Sequence, residues 1–96
     1  MSEKLIRRRY RFSGEVQGVG FRWRARHAAE ALGVAGWVRN NRDGSVSLEL
    51  QGTEAQIDRV LQSIERGLYI QIEHAESSAL PPEPDARGFH VRDDRW

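Results

Sequence analysis

The hydrophobic period of this chain switches from 2 to 3.6 and back, twice over, and no single residue constrains the fold as strongly as that switching does. From Ile6 to Val16 the even positions are mostly apolar or aromatic (Ile6, Tyr10, Phe12, Val16), while positions 7, 9 and 11 are arginines. That alternation predicts a strand with one buried face, interrupted at Arg8. From Phe21 the spacing changes: Phe21, Ala25, Ala28, Ala29 and Leu32 form the single apolar stripe of an amphipathic helix, which Gly33 closes. Gly36 to Asn40 then reads as a strand, Asn41-Arg42-Asp43-Gly44 as a hairpin turn, and Ser45 to Gln51 as a third strand with Val46, Leu48 and Leu50 on one face. Thr53 caps a second helix and Gln56 completes a capping box; Ile57, Val60, Leu61 and Ile64 form its buried stripe, and Gly67 is its stop. Tyr69 to Glu76 alternates with Ile70 and Ile72 inward, Leu80 to Pro84 reads as loop, and Phe89 and Val91 suggest a short last strand.

Strand, helix, strand, strand, helix, strand is the order of a ferredoxin-like α+β sandwich (βαββαβ): an antiparallel sheet of four to five strands with both helices on one face. The whole chain, residues 1–96, reads as one domain. It contains no cysteine, so packing alone must hold it. The face away from the helices is expected to lie open, carrying Arg7, Arg9, Arg11, Ser47 and Glu49, with the arginine row paired to acids such as Glu49. Met1 to Lys4 reads as a loose terminus, and Glu83 to Trp96 either pairs with the sheet edge or is solvated.

Composition narrows the function. Fifteen Lys and Arg against 14 Asp and Glu leave a net charge of +1, which argues against an extended nucleic-acid or anionic-membrane surface. Any anion site must be local. No apolar run approaches the roughly 20 residues of a membrane span, and the polar N-terminus lacks the apolar stretch of a signal peptide, so the expected location is cytoplasmic. His27, His74 and His90 have no partners at metal-ligand spacing and are given no role.

The local anion site has a clear candidate in Gly14-Glu15-Val16-Gln17-Gly18-Val19-Gly20-Phe21-Arg22, between the first strand and the first helix. Glycine lets backbone N–H groups turn inward and lets a ligand approach the main chain. A helix N-terminus adds unpaired N–H donors and the positive end of the helix dipole. Arg22, at the edge of the apolar stripe in the first turn, adds a planar fork suited to phosphate or carboxylate oxygens. Trp23 follows it on the side away from the stripe, as a lip over the site or as a partner contact.

This glycine loop, together with Gly36-Trp37-Val38-Arg39-Asn40 and then Gly44, Val46 and Gly52, resembles the two signatures of the acylphosphatase family, in the family's order and spacing. The resemblance covers nearly the whole chain and is weakest after Gly67. It implies a small hydrolase without metal or cofactor, cleaving acyl phosphates to a carboxylate and inorganic phosphate; a monomer is expected, although the sequence itself leaves the oligomeric state open. It further implies that Arg22 binds the phosphoryl group, that the backbone N–H groups of Gln17, Gly18, Val19, Gly20, Phe21 and Arg22 cradle it, and that Asn40 orients the attacking water. Gly20 and Asn41 depart from the family pattern, in which many relatives carry a side chain at the first position and several a hydroxyl residue at the second.

The competing reading is a non-catalytic ferredoxin-like module that binds an anion or RNA. RNA binding calls for aromatic side chains on the open sheet face, where the first strand places arginines instead. Trp37 is the one aromatic that falls on that side, and Asn40 separates the readings, because a pure binder has no use for a water-orienting amide.

Overall fold

The computed structural model describes residues 4–92, so the expectations for Met1 to Glu3 and for Asp93 to Trp96 lie outside the described residues. The elements run β1 (Ile6–Glu15), α1 (Phe21–Leu32), β2 (Ala35–Asn40), β3 (Val46–Gly52), α2 (Glu54–Glu65), β4 (Gln71–Leu80) and β5 (Phe89–Arg92). One sheet holds all five strands in the order β4-β1-β3-β2-β5. The fold is the expected ferredoxin-like α+β arrangement, with one difference at an edge. β1, β2, β3 and β4 pair antiparallel, whereas β5 lies parallel to β2, with Trp37 opposite His90 and Val38 opposite Val91. The sheet is therefore mixed.

Local chemistry explains three of the four helix boundaries; α2 is capped by Arg66, one residue before the expected Gly67 and in an ordinary right-handed conformation. Gly20 precedes α1 in the left-handed region (φ 85°), where a side chain is strained, and Gly33 ends the helix at φ 71°. Thr53 Oγ1 accepts from the Gln56 backbone N–H at 3.2 Å, and Gln56 Oε1 accepts from the Thr53 N–H at 2.9 Å, the reciprocal capping box. Gln56 Nε2 also donates to the Leu32 carbonyl at 3.2 Å, tying the start of α2 to the end of α1. The two helix stripes meet the sheet in one core: Phe21, Ala25 and Ala29 from α1 and Ile57, Val60 and Ile64 from α2 pack with Phe12, Val38, Leu48 and Leu50.

The face away from the helices is not open along its whole length. Arg7, Ser47, Glu49 and Gln51 are all buried, at 4 to 8% exposure. The chain between β4 and β5 causes this, since it must pass from one sheet edge to the other. Four strand spacings are roughly 19 Å, and its eight residues, 81–88, can span about 26 Å. It crosses this face, and Glu83 docks on it: its N–H donates to Gln51 Oε1 (2.8 Å) and its carbonyl accepts from Gln51 Nε2 (2.9 Å). Beneath it, Arg7 Nε donates to Glu49 Oε2 at 2.7 Å and Nη1 donates to Gln51 Oε1 at 3.1 Å. The arginine row is thus matched, though only partly by Glu49: Arg7 pairs with Glu49 and Arg11 with Asp43, while Arg9 lies over the Trp37 ring at 5.3 Å. Arg39 and Arg92 share that ring at 5.4 and 4.7 Å, so Trp37 does face this side, wrapped in guanidinium groups.

The last third of the chain departs most from expectation. The fourth strand starts two residues later than Tyr69 and runs on to Leu80, leaving Leu68 and Tyr69 exposed in the preceding turn. It is an edge strand paired with β1, exposed at every position except the half-buried Ile72 and Leu80. A strand with so little buried face has no alternation to display.

Candidate active site

The strand-to-helix connection after β1 and the end of β2 meet at a cleft of about 360 Å³. Val16, Gly18, Gly20, Phe21 and Arg22 line it from the loop and the first turn of α1, Asn40 from the last residue of β2, Trp23, Arg26 and His27 from further along α1, and Val91 from β5. The lining holds two arginines and a histidine and no carboxylate.

Backbone donors are concentrated on the same side. Among the described residues, no N–H from Gly18 to Trp23 has a hydrogen-bond partner; the first to be engaged is that of Arg24, donating to the Gly20 carbonyl at 3.0 Å. No side chain caps this helix and no acid occupies its first turn. A helix N-terminus in that condition presents free donors and a partial positive charge. Arg22 is exposed and makes no ion pair among the described residues, whereas Arg26 is held by Glu30 at 3.3 Å, one turn on.

Asn40 contributes the opposite polarity. Its Oδ1 is buried and has no hydrogen-bond partner among the described residues. An unpaired acceptor inside a protein is unfavourable by about 1–3 kcal/mol, so a position that keeps one is a candidate for work on a ligand.

The loop and β2 are joined by a network centred on the β2–β3 turn. Gln17 Nε2 donates to the Asn41 carbonyl at 2.7 Å and to the Ser45 carbonyl at 2.9 Å. Asn41 Nδ2 donates to Ser45 Oγ and Ser47 Oγ, each at 2.9 Å, and its Oδ1 accepts from Arg39 Nε at 3.2 Å. Asp43 Oδ1 accepts from the Ser45 N–H (2.9 Å) and Oγ (2.6 Å). These two bonds, reinforced by Arg11, hold the Asp43 carboxyl at about 2, well below its ordinary value.

Of the residues expected at the site, the structure gathers Gly18, Gly20, Phe21, Arg22 and Asn40 around the cleft. Gln17 and Val19 are not in its lining: Gln17 spends its amide on the turn, and Val19 packs half-buried against the core. Trp23, expected as a lip or a partner contact, is in the lining. Arg26 and His27 are there too. Spacing alone could have found them, because Arg26 follows Arg22, and His27 follows Trp23, by one helical turn. Asn41 was likewise missed as the hub that fixes the loop to the strand.

A family model described as Acylphosphatase matches residues 8–91. An acylphosphatase from Koribacter versatilis (strain Ellin345) is 37% identical over 92 residues, 95% of this chain and 84% of the relative. One from Bifidobacterium longum (strain NCC 2705) is 40% identical over 93 residues, 95% of this chain and 96% of the relative. The crystal structure of acylphosphatase from Bacillus subtilis superimposes with a TM-score of 0.82 at 25% identity, over 91% of this chain and 98% of that one. Fold, spacing of the loop and strand signatures, and relatives of matching length agree, and the chain is an enzyme belonging to the acylphosphatase family.

Proposed function

We propose that this chain hydrolyses acyl phosphates by direct attack of water on phosphorus, with the phosphoryl group held by the Arg22 guanidinium and the loop N–H groups and the water held by Asn40. The observation that carries the reading is that Asn40, whose Oδ1 has no hydrogen-bond partner among the described residues, lines the same cleft as Arg22 and the loop whose N–H donors are unpaired. Phosphoryl transfer spreads charge over three equatorial oxygens, which N–H donors and one guanidinium can stabilise without covalent help. Asn40 Oδ1 accepts a hydrogen bond from the water and so fixes a lone pair toward phosphorus. The water oxygen bonds to phosphorus as the bond to the bridging oxygen breaks, and that oxygen leaves with its electron pair as a carboxylate. A carboxylate is a weak base and needs no general acid, in keeping with a cleft lined by no carboxyl group. The water's proton passes to a phosphate oxygen or to solvent.

The test is hydrolysis of benzoyl phosphate in excess chelator by the wild-type chain beside Arg22→Ala, Arg22→Lys and Asn40→Ala. Turnover is expected to survive the chelator and to fall by about a hundredfold or more in each variant. Phosphate inhibition should persist in Asn40→Ala and vanish in Arg22→Ala. Loss of phosphate binding in Asn40→Ala would show that Asn40 holds the loop instead of the water, and near-normal activity in Arg22→Lys would count against a bidentate fork.

A further inference from the structure

The cleft is larger than a phosphoryl group requires, and the part that the phosphate reading leaves unused has a chemistry of its own. At about 360 Å³ it falls within the roughly 300–1,000 Å³ of small-molecule pockets. Beyond the donors of the loop, its lining carries the rings of Trp23 and His27 on α1 and Val91 on β5, beside Arg26, whose charge is engaged by Glu30. Trp23 is 62% exposed and Val91 42%, so neither serves the core. The two rings stack with centroids 3.9 Å apart and planes 28° from parallel. The stack is fixed from behind: His27 Nδ1 lies 2.8 Å from the Trp23 carbonyl, which can only accept, so Nδ1 carries the proton and holds the imidazole in place.

We propose that the Trp23–His27 stack, with Val91, seats the organic part of the substrate, and that this seat favours acyl phosphates whose acyl group is planar, an aromatic one above all. The inference rests on the acyl phosphate reading of the same site. In such a substrate a single oxygen joins the phosphoryl group to the acyl carbon, so the acyl group must lie directly beside the phosphate seat. Trp23 is the residue after Arg22 and lines the same cleft. A flat unsaturated group can lie offset against an indole face, a gain that a methyl group cannot match. With no carboxylate in the lining, the aromatic carboxylate released by the reaction meets no repulsion there.

The experiment compares kcat/KM for benzoyl phosphate and for acetyl phosphate in the wild type, Trp23→Ala, Trp23→Phe and His27→Ala. Trp23→Ala is expected to lower the benzoyl-to-acetyl ratio about fivefold, chiefly through KM for benzoyl phosphate, the size of one stacking contact. Trp23→Phe should keep most of the ratio, His27→Ala should lose part of it, and the inhibition constant of inorganic phosphate should not move in any of the three. An active wild type whose ratio is unchanged in Trp23→Ala, or whose two substrates fall together, overturns the seat alone. A wild type that hydrolyses neither substrate overturns the acyl phosphate reading and the seat with it.

Discussion

The Gln17 side-chain amide donates to the Asn41 main-chain carbonyl at 2.7 Å, and through that bond the phosphate-loop candidate is fastened to the strand end that carries Asn40. The same amide reaches the Ser45 carbonyl, so one side chain spans the loop and both ends of the β2–β3 turn. Gln17→Ala should therefore act on two levels. Both carbonyls keep a backbone donor, from Gly44 and Asn41, so the stability loss should be modest, about 1–2 kcal/mol, or a fall in Tm of roughly 4–16 °C. Activity should fall further than stability suggests, because the loop and Asn40 lose their common anchor. Thermal melts beside kcat at a temperature where the variant is fully folded test this, and unchanged kcat would mean that the loop holds its place without the tie.

Glu49→Ala should be more damaging to the fold than to the site. Arg7 is 5% exposed and donates to Glu49 at 2.7 Å, with Gln51 as its other close partner and Glu83, at 3.5 Å, mostly solvated. Removing one partner of a buried pair strands the other charge, at about 3 kcal/mol. Urea unfolding should show that loss, and Arg7→Leu combined with Glu49→Leu should recover much of it; a double variant no better than the single one would show that the pair is worth more than its desolvation.

Gly36→Ala should prevent stable folding. A Cβ built there falls 1.8 Å from the Glu49 carbonyl oxygen, and the residue's φ of 148° is unfavourable for any side chain. Overpacking against backbone and the strained dihedral together amount to about 3 kcal/mol or more. A cooperative melt near the wild-type Tm would show that β2 can shift away from β3.

Asp43 gives a pH signature. Its carboxyl titrates at about 2 in the folded chain, lowered by the Ser45 hydroxyl and N–H and by Arg11, against an ordinary value of 3.8. The depressed group contributes stability that is fully present above pH 4 and lost as the pH falls toward 2, because the unfolded chain then binds more protons. Asp43→Asn should flatten the stability profile between pH 4 and pH 2 relative to the wild type, as read from urea midpoints at half-unit steps. Parallel profiles would mean that the turn does not hold the ionised carboxylate.

The sequence was most legible where one local signal decided the outcome. The stripe of α1, the Thr53–Gln56 capping box and the alternation of β1 and β3 each rest on residues within a few positions of one another, and each appears where the spacing put it. That Gly18 and Gly20 turn the chain between β1 and α1 was legible for a related reason: both sit at positive φ, which favours glycine, and that need shows in a single sequence.

Other features were set by neighbours distant in the chain, and these only the tertiary structure decided. Whether β5 pairs parallel or antiparallel depends on the path of residues 81–88 across the sheet, and that same path buries Arg7 and Glu49 on a face their alternation assigned to solvent. β4 was mistimed because an edge strand buries too little to leave a pattern. Trp23 and His27 stand one helical turn apart in the sequence, but their place in the cleft was decided by the end of β2 and by β5, which are brought opposite their helix face. Local propensity writes helices, caps and glycine turns into the sequence, whereas burial and contact between residues far apart in the chain arise only when the layers close.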